Sequence, residues 1–343
     1  MRRNRIARTE ITTTALGLGG TGLGNLYTAV EDREAIATVA AAYQAGVRYF
    51  DTAPAYGNGL SEERLGRALA GYPRRELVLS TKVGYALHPL AAGETTMPLF
   101  ENALPFRLAY DYSRDAVRRS LDDSMRRLQT DRIDIVWIHD PDEAVSIDPS
   151  RDPYERSHFR EAMDHAYPVL DDLRSRGAIG AIGVGMNQWQ MLEDFAKAGR
   201  FDCFLLAGRY TLLEQPALTS FLPRCERDGI SVIIGGPYGS GILASGAVPG
   251  ATYNYGPASP EILARVRRIE AVCARHGVAL AAAALQFPLA HRAVASVIPG
   301  ARSIAELAAS VAHLERPVPA ALWTELKELQ LIAAEAPIPG AAG

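Results

Sequence analysis

Short apolar runs recur along the chain, each followed by a longer stretch whose apolar residues fall on one helical face. Eight of the runs read as strands: Leu16–Gly20, Val47–Asp51, Leu77–Lys82, Ile133–His139, Ala178–Gly185, Cys203–Ala207, Ile230–Gly235 and Ala295–Ile298. Between and after them the pattern predicts helices over 32–45, Ser61–Ala70, 114–128 (capped by Ser113), a segment ending at Ser175, Gln188–Ala198, Pro216–Asp228, Glu261–His276, Ala279–Ala290, Ser303–Leu314 and Ala320–Ala334. A small hairpin over residues 5–15 precedes them. Strands that alternate with helices pair in parallel through crossovers, and eight such units close into a (β/α)8 TIM barrel. The expectation is therefore an α/β chain forming one barrel domain over residues 1–343. An open doubly wound sheet is the alternative, but no GxGxxG opens a helix after a strand.

Three long loops follow strands three, four and seven, ending at Tyr112, spanning Asp140–Arg156 and spanning 236–259. All three leave C-terminal strand ends, the face where such barrels bind ligands. The stretch Val47–Glu62 shows how that face is built: a strand ends at Asp51, a tight loop holds Tyr56, and a helix begins near Ser61. Ser61 is the expected cap of that helix, and Glu62 and Glu63 sit where its dipole favours negative charge.

Composition changes this picture little. The 343 residues are 48% hydrophobic and 22% charged, enough for a sizeable core. A net charge of −3 gives no electrostatic case for nucleic acid or anionic lipid as partner. The three cysteines, Cys203, Cys225 and Cys273, are scattered, which argues against a disulfide framework or a zinc site. No metal centre is expected. The basic N-terminus carries no apolar h-region and no run reaches bilayer length, so the reading is a cytoplasmic protein.

Candidate chemistry lies at consecutive strand ends. Asp51 ends strand two with Tyr56 in its loop, Lys82 ends strand three, and His139 ends strand four. Singly, each has an ordinary structural explanation as a turn residue, surface packing or a solvated charge. Together, on one rim, they suggest proton transfer coupled to hydride transfer. A free phenol, with a pKa of about 10, is a poor base at neutrality. A nearby ammonium lowers that value, so Lys82 is expected to activate Tyr56, with Asp51 as the partner a buried lysine requires. His139 would orient the substrate oxygen or relay the proton.

At these residues the chain resembles the aldo-keto reductase family. FDTAPAYGNGLSEERLGRAL is similar to the family signature, VLSTKVG to its lysine strand, IDIVWIHDPD to its histidine strand, and IGAIGVGMNQWQ to the strand-five segment that touches nicotinamide. The resemblance spans residues 8–315. It implies NAD(P)-dependent interconversion of alcohol and carbonyl, with Asp51, Tyr56, Lys82 and His139 as a tetrad. The segments GLGGTGLGNLY, Leu205–Gln215 and IIGGPYGSGILASG resemble the branch of sugar 1-dehydrogenases and a related pyridoxal 4-dehydrogenase. That branch implies oxidation of a lactol C1–OH to a lactone. The resemblance leaves two alternatives, a general NADPH-dependent aldehyde reductase and a non-catalytic cofactor-binding β-subunit. The expected partner is a small-molecule substrate, an aldose, pyridoxal or another aldehyde or alcohol, and the expected assembly a monomer or small homo-oligomer.

The resemblance also implies cofactor contacts. Asn187 matches a carboxamide-binding Asn, and Met186 stands beside it where Ser is frequent. Ala207 replaces a Gln that often shares this task. Tyr238 is a candidate to stack on nicotinamide. Gly239, Ser240 and Gly241 offer small residues and backbone N–H groups to a pyrophosphate, or form a flexible turn. Gly300, Arg302 and Glu306 fall in the adenosine-phosphate segment. A carboxylate at Glu306 repels a 2′-phosphate and accepts from a ribose 2′-OH, which favours NAD, whereas Arg302 leaves NADP as the alternative.

Overall fold

The computed structural model describes residues 1–96, 99–143, 154 and 157–340. The chain opens with an antiparallel hairpin, β1 (Arg3–Arg5) and β2 (Thr12–Thr14). Its connecting loop buries Ile6 completely at one end of the barrel interior. β3 (Leu18–Gly19), β4 (Tyr49–Asp51) and β5 (Val78–Val83) begin the barrel. β6 (Tyr85–Pro89) and β7 (Phe106–Tyr110) then form an antiparallel hairpin outside it. The barrel resumes with β8 (Ile133–His139), β9 (Ile179–Met186), β10 (Cys203–Ala207) and β11 (Ser231–Gly235). A second small hairpin, β12 (Thr252–Tyr253) and β13 (Gly256–Pro257), precedes the last barrel strand, β14 (Val294–Ile298).

The eight barrel strands pair in the order β3-β4-β5-β8-β9-β10-β11-β14. Parallel bridges Leu16–Val297 and Gly19–Gly300 join the first strand to the last and close the ring. The period-2 alternation of strands divides the core in two. Tyr49, Ile135, Trp137, Ala181, Leu205 and Ile233 fill the interior. Val136, Ile138, Ile182, Val184, Leu206 and Ile234 face the surrounding helices. Ser113 caps the helix Arg114–Leu128 by accepting from the N–H of Ala116 at 3.4 Å, as expected.

Two local features depart from expectation. Ser61 does not cap its helix. Gly59 holds the cap position of Leu60–Leu69 with φ +101°, a conformation that favours glycine. Ser61 lies inside the first turn, donating from Oγ to the Gly20 carbonyl at 2.7 Å and accepting from Thr52 Oγ1 at 2.8 Å. It ties the ends of the first two strand units together. The loops after the third and seventh strands carry the two hairpins and a short helix, Ile242–Ser245. Most of the loop expected over Asp140–Arg156 lies outside the described residues.

Candidate active site

Asp51 and Lys82 reach the same point because β4 and β5 are neighbours in the ring. The register pairs Asp51 with Ser80, and Lys82 with Trp137 of β8. Residues two apart on a strand share a face, so Ser80 and Lys82 both turn inward. Lys82 Nζ donates to Asp51 Oδ2 at 2.6 Å and to the Thr52 carbonyl at 2.8 Å. Both partners of this ion pair are at most 2% exposed. The other carboxylate oxygen, Oδ1, accepts from Ser80 Oγ at 2.5 Å and from Trp137 Nε1 at 3.0 Å. A buried charge persists when it is paired and its lone pairs are satisfied, and Asp51 meets both conditions. Ser80 and Trp137 were not among the expected site residues. Their strand parity with Lys82 and His139 was the available signal.

Tyr56 sits in the loop after β4, with its ring 4.7 Å from Lys82 Nζ and edge-on to His139 at 5.8 Å between centroids. The loop Thr21–Tyr27 lies against this turn, and Gly24 makes that contact: a Cβ there would stand 2.6 Å from the Tyr56 carbonyl carbon. Burial, foremost, and then the charges of Asp51 and Asp140 push the Tyr56 hydroxyl well above the ordinary phenol value. The expectation that Lys82 leaves Tyr56 acidified is therefore corrected. The ammonium is neutralised by Asp51, and burial of an anion outweighs what remains.

His139 ends β8 at 6% exposure. Burial and then the Lys82 charge hold its imidazole well below the usual histidine value, so the ring is neutral near pH 7. Its carbonyl accepts from the Tyr112 hydroxyl at 2.6 Å. The ring lies edge-on to Tyr85 of β6 at 5.2 Å.

A cavity of about 900 Å3 starts at Tyr56 and Asp51 and runs past Asn187 and Gly236 to Arg302 and Glu306. Asn187 Nδ2 donates to the Ala207 carbonyl at 2.9 Å, and the Asn187 side chain also meets the Tyr255 phenol. The loop Gly235–Gly241 lines the middle; at Gly236 a Cβ would have no neighbour nearer than 4.0 Å and would project into this space. Tyr238 lines the wall with its hydroxyl 3.3 Å from Ser310, turned toward the helix Ile304–Glu315 and not toward Tyr56. At the far end Arg302 and Glu306 form an ion pair of 2.9 Å beside Gly300, and Glu306 also accepts from the Arg302 backbone N–H at 2.9 Å. Met186 does not join this set. It is 1% exposed among residues facing the helices, because Gly183 and Gly185 take the inward positions of β9. Tyr27 and Tyr255, which line the cavity, were also missed by sequence reasoning; both come from loops whose positions only the folded chain defines.

The structure thus brings Asp51, Lys82, Tyr56 and His139 together at one end of a long cleft, and Asn187, Tyr238–Gly241, Gly300, Arg302 and Glu306 along it. Comparison with known proteins gives the family. The model of the aldo/keto reductase family matches residues 15–331. The chain is 39% identical over 339 residues to the pyridoxal 4-dehydrogenase of Microbacterium luteolum, covering 96% of this chain and 98% of that one. It is 39% identical over 323 residues to the D-threo-aldose 1-dehydrogenase of a Pseudomonas species, covering 93% and 94%. In fold it is similar to the holo form of an aldo-keto reductase from Bacillus halodurans, with TM-score 0.75, 23% identity and 96% of each chain covered. A closed eight-stranded barrel, an acid–base cluster at its rim and a match across nearly the whole chain lead to one conclusion: the protein is an oxidoreductase of the aldo-keto reductase family, which uses nicotinamide cofactors.

Proposed function

We propose that the protein oxidises the lactol or alcohol carbon of a small hydroxylated substrate, an aldose at C1 or a pyridoxal hemiacetal, with NAD as the preferred acceptor. The observation that carries this reading is the placement of Tyr56, with Lys82, Asp51 and His139, at one end of a cleft of about 900 Å3 that runs on to Arg302 and Glu306. The relatives at 39% identity act, by name, on pyridoxal and on D-threo-aldoses. A sugar lactol and a pyridoxal hemiacetal share a C–OH beside a ring oxygen, so one site can serve both.

The residues suit a nicotinamide dinucleotide. Bare glycine backbone lines the middle of the cleft, and the Asn187 amide is fixed by the Ala207 carbonyl. Nicotinamide, when bound, supplies the hydride acceptor. Tyr56 takes the hydroxyl proton of the substrate, and His139, neutral, holds the substrate oxygen. Because burial, Asp51 and Asp140 keep Tyr56 protonated at neutrality, oxidation is expected to quicken as pH rises toward the phenol's value. A carboxylate at Glu306 would repel a 2′-phosphate bound at this end of the cleft, and its ion pair with Arg302 offsets the nearby cation. This favours NAD over NADP.

Initial rates with NAD+ and NADP+ over a panel of aldoses and pyridoxal test the proposal, with Tyr56→Phe alongside. Turnover of a lactol with NAD+, lost in Tyr56→Phe while the variant still binds cofactor, is the expected result. Rapid NADPH-dependent reduction of simple aldehydes with no lactol oxidation would overturn the substrate assignment. Full activity in Tyr56→Phe would overturn the mechanism.

A further inference from the structure

Arg64 belongs to the helix Leu60–Leu69, which starts just beyond the Tyr56 turn, and it is buried. Its guanidinium meets four acceptors, all on the segment Leu23–Asp32 that follows the first barrel strand. Nε donates to Asp32 Oδ1 at 2.9 Å, Nη1 to the Leu23 carbonyl at 2.7 Å and to Asn25 Oδ1 at 2.8 Å, and Nη2 to the Val30 carbonyl at 2.7 Å. Asn25 extends this net: its Oδ1 also accepts from the Val30 N–H at 3.0 Å, and its Nδ2 donates to the Glu101 carbonyl at 2.8 Å. Between the single turn Gly22–Gly24 and the helix Asp32–Gln44 the segment has no helix or strand of its own, only the isolated bridge Leu26–Phe100. Asn25 and Tyr27 hold φ at +71° and +63°, a left-handed conformation that a tyrosine keeps only where its surroundings enforce it.

This segment touches both the cleft and the reaction centre. Leu26 and Tyr27 line the cleft. Gly24 lies backbone to backbone on the Tyr56 turn, and from the other side a Cβ at Gly57 would stand 2.6 Å from the Gly24 carbonyl oxygen. With so little room between them, a shift of the segment is passed on to Tyr56. An apolar side chain of similar volume often stabilises a buried site as well as a paired charge does. What a guanidinium adds is direction, because its N–H groups point along fixed lines to several acceptors at once. We propose that Arg64 is a positioning residue of the reaction centre: it winds Leu23–Val30 into a fixed wall of the cleft and, through Gly24, sets where the Tyr56 turn stands against Lys82. The two carbonyls and the Asn25 amide carry this role. Asp32, whose side chain is 49% exposed, adds a charge largely screened by solvent. The inference rests on the oxidoreductase reading above.

The test uses Arg64→Lys, which keeps the charge but offers one nitrogen where the guanidinium offers three. Asn25→Gly accompanies it, removing one acceptor while tolerating the same φ. Leu322→Ala, a buried residue of the helix Ala320–Glu328, is the control for lost stability alone. NMR of 13Cζ-labelled tyrosine in the cofactor-free protein reads position without turnover, with signals assigned by Tyr27→Phe and Tyr56→Phe. The Tyr27 and Tyr56 signals are expected to move or broaden in Arg64→Lys, and less so in Asn25→Gly. Those of Tyr167 and Tyr210, which pack on Phe201 and Phe287, should stay in place. In turnover, kcat per folded molecule is expected to fall about ten- to a hundredfold in Arg64→Lys, since misplacing a reacting group by about 1 Å costs up to about a hundredfold. Leu322→Ala should keep both its Tyr27 and Tyr56 signals and its kcat per folded molecule. Unchanged Tyr27 and Tyr56 signals in Arg64→Lys, or an equal fall of kcat in Leu322→Ala, would overturn the proposal. Should Arg64→Lys not fold, unmoved signals in Asn25→Gly would overturn it as well. Failure of the oxidoreductase reading would look different: the wild type itself would not turn over, while the comparison of tyrosine signals would stand.

Discussion

Replacing Lys82 by Met is the sharpest probe of the buried centre. Met preserves the length and bulk of the side chain, so no cavity forms. What disappears is the ammonium that donates to Asp51 at 2.6 Å and to the Thr52 carbonyl at 2.8 Å. Asp51, 2% exposed, then holds its charge with Ser80 and Trp137 as remaining side-chain donors. Removing one partner of a buried pair costs about 3–5 kcal/mol, because the other charge stays desolvated. Two surviving donors place Lys82→Met near the lower end, about 3 kcal/mol, with the Thr52 carbonyl adding up to about 1 kcal/mol. That is a large share of the ~5–15 kcal/mol that holds a typical domain, and the variant should still fold.

The decisive measurement is a double-mutant cycle by urea unfolding over wild type, Lys82→Met, Asp51→Asn and the pair. With Asn at position 51 the charge is gone, and the side-chain oxygen still accepts from Ser80 and Trp137. The double variant should therefore be less destabilised than the sum of the single ones, by about 2–3 kcal/mol, well outside the ~0.5 kcal/mol within which independent sites add. Additive losses would refute the argument. They would mean that the two charges are solvated and independent, and that the field at Tyr56 has to be derived differently.

Two further expectations follow from the same geometry. Trp137→Phe removes the indole donor to Asp51 and leaves a gap where Gly183 makes room for the larger ring; unfolding measurements should show a loss of about 2–4 kcal/mol, exceeding that of Ser80→Ala, and equal losses would contradict the packing argument. His139 is neutral in the fold far below its ordinary value, so the unfolded chain takes up a proton near pH 6.5 that the folded one refuses. The stability from keeping it neutral is full above about pH 6.5 and is lost as pH falls, at up to about 1.4 kcal/mol per pH unit; the slope of stability against pH below 6.5 should flatten in His139→Gln, and an unchanged slope would count against the burial.

The barrel and the four-residue centre were legible in the sequence because both depend on local order. Strand ends are marked by where apolar runs stop, and the barrel brings the ends of neighbouring strands to one rim. Asp51, Lys82 and His139 stop consecutive runs, so topology alone assembles them. Parity along those strands would have added Ser80, two residues before Lys82, and Trp137, two before His139. It would also have removed Met186, since the inward positions of β9 run through Ala181, Gly183 and Gly185. Ser61 misled for another reason. A serine near a helix start is the usual cap, but Gly59 takes the left-handed position and frees Ser61 for a bond to Gly20, 41 residues away.

What was not legible is set by contacts between distant segments. The β6–β7 pair lacks a short turn that would announce it, since Pro89 and Phe106 are joined by a long connection, yet it delivers Tyr85 beside His139 and Tyr110 beside Tyr85. Tyr255 reaches Asn187 from the tip of a hairpin of two-residue strands, too short to show alternation. The sign of the Tyr56 shift belongs to the same class. The sequence places an ammonium near a phenol, which lowers its value. Only the folded chain shows that the ammonium is already neutralised, that Asp140 adds a second negative charge, and that burial dominates both. A reaction centre read from residue types alone supplies the participants. The direction in which each is pushed depends on desolvation and on the remaining partners of each charge, and these exist only after the chain has closed around them.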